Sequence, residues 1–311
     1  MSLYRRGDRA IHGTIGDELE TERDRIEAAF DAVTPGMVFF VNSNIGSNAK
    51  DGFTWATALA TITEALARCV SGRGDRIYVA GGAAYGENLV VTKDGIQLIG
   101  AELGGYQRPD IGAAGGRPLS VHAQAFVASH LRFAAAGAFD AVRQQGNGYI
   151  YHDCVVDGAG LNGMALLPDL DDDSYSASEG LLSGCLFRGA TAKGLLYKNP
   201  GPGVEGGVGP TDVEVRGCRF YSNGMDIGDE DTAGSNDTTF LNCLVENCDF
   251  LTPGGGAFVY VNLSAGGNNR GMLSHCKFNE PTLVAAQIVA PAAVALVGAM
   301  DAQGIVDASA F

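Results

Sequence analysis

Charge is scarce in this chain and lopsided in sign: 21 basic against 36 acidic side chains in 311 residues, a net charge of −15. A surface that tracks nucleic-acid phosphates needs the opposite balance, so the composition argues against a nucleic-acid partner. The seven cysteines are odd in number and include no CxxC pair and no Cys/His grouping with zinc spacing. That speaks against a complete disulfide framework and against a structural metal site. No apolar run follows the arginines of MSLYRRGDRAIHGT, so no signal peptide is legible. The long uncharged stretch 282–300 contains Gln287, Pro291 and many alanines. It reads as closing strands or an interface segment, not as a membrane helix. These absences predict a chain that folds in a reducing cytosol with free thiols, without metal, cofactor or membrane insertion.

Glycine is abundant, with 45 residues, about twice its usual share, yet it follows no Gly-X-Y period. Apolar residues at 46% exclude a largely disordered chain, and the length suffices for a large core. Together these features predict many short strands joined by tight turns.

Five cysteines sit in one recurring phrase: His152-Asp153-Cys154-Val155-Val156, Ser183-Gly184-Cys185-Leu186-Phe187, Arg216-Gly217-Cys218-Arg219-Phe220, Glu246-Asn247-Cys248-Asp249-Phe250 and Ser274-His275-Cys276-Lys277-Phe278. Their intervals are 31, 33, 30 and 28 residues, and Ser129-His130-Leu131-Arg132-Phe133 is an earlier copy with leucine in the cysteine place. A period of this size marks a solenoid. Cysteine and the aromatic or valine two positions later share a buried face under strand periodicity. The residue before the cysteine is His, Asp, Gly or Asn, the types that tolerate positive φ, so each copy bends sharply there. A second landmark is a glycine opening a short apolar strand: Gly163 before 164–167, Gly194 before 195–197, Gly224 before 225–227 and Gly256 before 257–260. A third strand leads into the bend, as in Tyr149-Ile150-Tyr151. Three strands per 23 to 33 residues describe an all-β parallel β-helix whose cysteines form a buried column of thiols.

An open stack needs covers at its ends. Residues 54–70 supply one, with Leu59, Ile62, Leu66 and Cys69 on the stripe of an amphipathic capping helix. The segment 282–311, free of cysteine copies, is expected to close the other end.

The run Phe40-Val41-Asn42-Ser43-Asn44-Ile45-Gly46-Ser47-Asn48-Ala49-Lys50-Asp51-Gly52 precedes Trp55-Ala56-Thr57-Ala58 and Gly74-Asp75-Arg76-Ile77-Tyr78-Val79-Ala80. Tyr85-Gly86-Glu87-Asn88-Leu89 and Asp94-Gly95-Ile96-Gln97-Leu98-Ile99-Gly100 follow. This pattern resembles the opening segment of right-handed β-helix proteins of the pectate-lyase-like superfamily, especially bacteriophage tailspikes and related virion proteins. The resemblance spans roughly residues 37–280 and implies fold far more than activity. It also implies a homotrimer located in the virion.

Coil length varies at one corner, through inserts 168–179, 198–211, 228–238 and 262–270, which therefore stack on one face. Asp171, Asp172, Asp173, Tyr175, Asp229, Glu230, Asp231, Asn268 and Asn269 are the candidate surface contacts there, for a host glycan or neighbouring virion proteins. The same acids are open to three other readings: a catalytic carboxylate pair, a cation site, or solvated filler. The outward column Val155, Leu186, Arg219, Asp249, Lys277 reads as a neutralised charge ladder, and no carboxylate–base constellation or histidine triad is legible, so no catalytic residue is assigned.

Residues 17–33, DELETERDRIEAAFDAV, form a charged helix with Leu19, Ile26 and Val33 spaced by sevens and Phe30 beside them. They are the candidate oligomerisation and anchoring residues, although two heptads are too few to hold alone. The organisation expected is an N-terminal arm and helix (1–36), a β-helix (37–281) and a closing segment (282–311). The leading function is a structural tail spike or fibre assembled in the host cytoplasm, docked to other virion proteins through the basic arm. A polysaccharide lyase or glycoside hydrolase on the same fold, or a head decoration protein, are the alternatives.

Overall fold

A computed structural model describes residues 36–102, 107–112, 115–167, 177–198, 209–230, 240–251, 258–263, 269–279, 287–289, 294–301 and 304–305. Its strands form three sheets, of ten, ten and eight strands, in which each strand pairs with its counterpart from the previous coil. In one full coil, Ile150–His152 lies in the first sheet, Val155–Asp157 in the second and Met164–Leu166 in the third. Every pairing is parallel except the last, Met300–Asp301 with Gly304–Ile305. The protein is a parallel β-helix.

Register turns the repeated phrase into columns of side chains. Phe133, Val156, Phe187, Phe220, Phe250 and Phe278 succeed one another inside the second sheet. Phe187, Phe220, Phe250 and Phe278 stack face to face at 5.0, 5.0 and 4.7 Å. The first sheet contributes Ile77, Leu98, Ala128, Tyr151, Leu182, Val215, Val245 and Leu273, and the third contributes Leu119, Val142, Met164, Leu195, Ile227 and Val261. All of these are buried. Close approach at the third sheet explains a glycine pair: a Cβ on Gly163 would lie 2.5 Å from the Gly194 carbonyl oxygen.

The five column cysteines are buried and free. Each thiol donates to a carbonyl of the preceding coil: Cys154 to Ala128 (3.6 Å), Cys185 to Tyr151 (3.4 Å), Cys218 to Leu182 (3.4 Å), Cys248 to Val215 (3.4 Å) and Cys276 to Val245 (3.6 Å). The thiol is thus a small apolar filler that also supplies one weak donor to the inter-coil seam. Burial pushes the thiols of Cys154 and Cys218 well above their usual range, and that of Cys243 up to about 12. Because all seven thiols are buried, a thiol reagent is expected to modify none of them in the native chain and all seven in denaturant. A cysteine reacting rapidly before unfolding would contradict the column.

The bend before each column cysteine, and before Leu131 in the earlier copy, is left-handed, with φ of 56° at His130, 49° at Asp153, 63° at Gly184, 58° at Gly217, 53° at Asn247 and 52° at His275. Each of these residues donates its N–H to the next coil, as Asp153 does to Ser183 (2.8 Å). A second left-handed column stands where each coil re-enters the first sheet: Gly95, Ala125, Gly148, Glu179, Asp212 and Asn242.

At the N-terminal end the capping element is shorter than 54–70. It consists of a 3₁₀ turn, Trp55–Thr57, and an α-helix, Ile62–Arg68. Leu59 between them is bonded to Phe40 and Asn42 of the first strand region and cannot be helical (Leu59 N to Phe40 O, 2.9 Å; Asn42 N to Leu59 O, 2.8 Å). The stripe Leu59, Ile62, Leu66 and Cys69 is nevertheless buried throughout. The first coil caps both ends of the helix. The Glu87 carboxylate accepts from the N–H groups of Ile62 (2.9 Å) and Thr63 (2.8 Å), and Lys93 donates to the carbonyls of Leu66, Ala67 and Cys69 (2.8, 2.8 and 2.6 Å). These signs match the helix dipole.

Asp75 ties this cover to the stack. Its buried carboxylate accepts from the N–H of Met37 (2.7 Å) and Val70 (2.7 Å) and from the Arg73 guanidinium (2.6 Å). Burial acts to raise its pKa, but the Arg73 pair and the two backbone donors outweigh it and hold the carboxyl below its ordinary value. A carboxyl depressed on folding stabilises fully above its unfolded pKa of about 3.9, and that contribution is lost as pH falls through the lower folded value. Melting temperatures of the chain and of Asp75→Asn are expected to differ at neutral pH and to converge as pH falls through the lowered folded value.

At the other end the stack runs further than expected. Val294–Val297 continues the first sheet, Gly298 bends with φ of 58°, and Ala299 is buried in register with Cys276. Alanine in the cysteine place conceals this copy in the sequence. The fourth glycine-led strand also shifts, because Val261–Asn262 pairs with Ile227–Gly228 where 257–260 was expected.

Candidate functional site

The insert corner is where the third sheet hands over to the first. Asp171, Asp172, Asp173, Tyr175, Asp231 and Asn268 lie outside the described residues, as do Leu19, Ile26, Phe30 and Val33. Glu230 ends the strand Met225–Glu230, in register with Lys198. Asp229 and Asn269, expected on the surface, are buried at 8% and 0% exposure. Strand alternation places Asp229 on the same side as Ile227, in the inward column with Tyr197 and Leu166.

Asn269 clamps the feet of two inserts. Its Nδ2 donates to Asp229 Oδ2 (3.0 Å) and to the Leu263 carbonyl (2.9 Å), and its Oδ1 accepts from the Phe240 N–H (2.9 Å). A buried amide with this set of partners is costly to remove, because each partner is left without its bond in a dry interior. Asn269→Ala is expected to lower stability by about 2–3 kcal/mol in urea titrations. A change under about 0.5 kcal/mol would show that the clamp is incidental. Farther along the same corner, Thr211 donates through both N–H and hydroxyl to Ser178 Oγ (3.1 and 3.2 Å).

The second sheet carries an outward charge ladder. Arg132 bonds Asp110 (2.7 Å) on one coil and Asp157 (3.0 Å) on the next, and Arg188 returns to Asp157 (3.1 Å). Arg108 pairs with Asp153 at the neighbouring bend (2.6 Å). The column Val155, Leu186, Arg219, Asp249, Lys277 is in register, with Arg219 3.8 Å from Asp249. Each of these carboxylates is engaged by a guanidinium, an arrangement suited to holding coils together and to polar contact. Glycoside hydrolysis instead needs one carboxyl to give a proton and a second to attack or activate water. Among the described residues no group of three or more His, Cys, Asp or Glu is placed to hold a metal ion, and no helix is long and apolar enough to cross a membrane.

No family model matches the sequence, and no curated protein matches it. Solved structures do match. The tailspike protein gp49 of Acinetobacter baumannii bacteriophage Fri1, a capsular polysaccharide depolymerase, superimposes with a TM-score of 0.50 at 12% identity, over 74% of this chain and 41% of that chain. Pectin methylesterase from carrot gives 0.57 at 11% identity, over 88% and 84%. The Aspergillus niger pectin methylesterase gives 0.52 at 14% identity, over 86% of each chain. At these identities the likeness defines the fold alone, a right-handed parallel β-helix. The chain spans less than half the length of the tailspike it matches.

Proposed function

We propose that this chain is a structural β-helix appendage of a bacteriophage particle, of tail spike or fibre type, that contacts host glycan or neighbouring virion proteins through its insert corner. The observation that carries this reading is that the long inserts all leave the stack at one corner, between the third and first sheets, with the feet of two of them fixed from inside by the Asp229–Asn269 clamp. Rigid elements presenting variable loops are the usual arrangement for recognition. The likeness to a tailspike supports the phage context. That tailspike is a depolymerase, and cleavage by this chain is the second reading. The engagement of the second-sheet carboxylates by Arg132 and Arg188 favours binding over cleavage.

The assembly is a homotrimer that docks through residues 1–36. Light scattering is expected to give about 97 kDa, three chains of 32.2 kDa, and a lower mass once residues 1–36 are removed. A stable 32.2 kDa species for the whole chain would count against the appendage.

A further inference from the structure

Arginine and aspartate pair in equal numbers along the second sheet, but not at the turns that lead into the third. There Asp140, 4% exposed, receives Arg117 (Nη2 to Oδ2, 3.2 Å) and faces Arg143 (Nη2 to Oδ2, 3.7 Å), while its Oδ1 accepts from Asn162 Nδ2 (2.8 Å). Two guanidinia thus share one carboxylate, on a chain whose net charge is −15. Among the described residues no second acid pairs with either arginine. The Nε–H groups of both are buried without a hydrogen-bond partner. Burial first, and then the neighbouring Arg143 charge, hold the Arg117 guanidinium below the usual arginine range. One positive charge is left over in a half-dry setting, where a missing counterion is felt far more than in open water.

The surroundings of this surplus are not those of a solvated surface arginine. Arg143 is the outward residue of Val142–Gln144, between two buried neighbours, and its side chain is 37% exposed. Phe139 and Leu161 immediately precede Asp140 and Asn162, whose mutual bond stacks their two turns, and each is 40% exposed. Fixed donors beside exposed apolar side chains on a rigid scaffold are the ingredients of a small-ligand site. Guanidinium groups suit planar anions with two acceptor oxygens, and a sugar ring offers an apolar C–H face to a phenyl or isobutyl group.

We propose that this corner binds an acidic saccharide, with Arg117 and Arg143 taking its carboxylate and Phe139 and Leu161 lying against the ring. The proposal deepens the glycan-contact reading above and rests on it. It places the anionic sugar on the outward side of the third sheet, on a coil that adjoins the first long insert.

Titration calorimetry of the full chain tests it with three probes: a glucuronate-containing tetrasaccharide, a neutral tetrasaccharide and inorganic phosphate. The acidic tetrasaccharide is expected to bind at least tenfold more tightly than the other two. Arg143→Gln is expected to lose at least that factor with an unchanged melting temperature, and Arg143→Lys to keep part of it. Phe139→Ala is expected to weaken the tetrasaccharide and leave phosphate alone. Phosphate binding as tightly as the acidic sugar would overturn the saccharide assignment. A tenfold gain on neutralising Asp171, Asp172 and Asp173 together would show that the resident anion is the chain's own insert, and would also overturn it. If both tetrasaccharides bind equally and Arg143→Gln changes nothing, this inference fails while glycan contact stands. If neither binds, both fail.

Discussion

Phe220→Ala is expected to cost about 3–5 kcal/mol, read as a fall in the urea midpoint by circular dichroism. Phe220 is fully buried, with Phe187 on one side and Phe250 on the other, each at 5.0 Å and within 11° of parallel. Its removal leaves a cavity that the stacked backbone, pinned at 3.8 Å intervals along the chain and about 4.8 Å between coils, closes poorly. In a solenoid each coil touches only its neighbours, so the loss falls on two interfaces at once. The same truncation at the end of the column, Phe278→Ala, is expected to cost less, because Phe278 has a stacked ring on one side only, Phe250 at 4.7 Å. Equal costs at the two positions would show that burial alone, not stacking between coils, sets the energetics.

Gly180→Ala is expected to cost about 3 kcal/mol despite adding a single methyl group. A Cβ there would stand 2.0 Å from Tyr149 Cζ, so the ring of the preceding coil already occupies the space a side chain needs. Tyr149 has no room to yield: it is fully buried, its hydroxyl donates to Ala177 O at 3.2 Å, and its ring packs edge-on against Tyr151 at 6.0 Å. Shrinking the ring removes the obstacle, so Tyr149→Leu combined with Gly180→Ala should cost less than the two single changes added together. Strict additivity in that double-mutant cycle would contradict the contact.

These two positions also show what the sequence makes legible. The Phe220 column can be read directly, because cysteine, a left-handed bend residue and an aromatic recur at fixed offsets. Gly180 cannot: its reason lies 31 residues earlier, in a ring that only the stacked register brings above it. The second bend column was hidden for a related reason. Ala125 and Glu179 are not residues that favour positive φ, yet they hold 52° and 55° because their N–H groups bond the next coil, at Asn147 and Thr211. Tertiary pairing there overrides local preference.

At the candidate site the acidic composition of the inserts was readable, but not its division between inside and outside. Asp229 belongs to an insert by composition and to the interior by strand period. The Arg117–Asp140–Arg143 cluster gives no sequence signal at all, since its members come from successive coils and from both sides of a turn. Only the coil register brings them together.

Binding without cleavage is what separates an appendage from a depolymerase. The most direct measurement is size-exclusion chromatography with light scattering of the full chain mixed with capsular polysaccharide from candidate hosts, followed over several hours. The predicted result, with a recognised polysaccharide, is a protein peak that moves to higher mass with the polymer while the polymer keeps its length. Progressive shortening of the polymer would contradict the structural reading and make the chain a depolymerase.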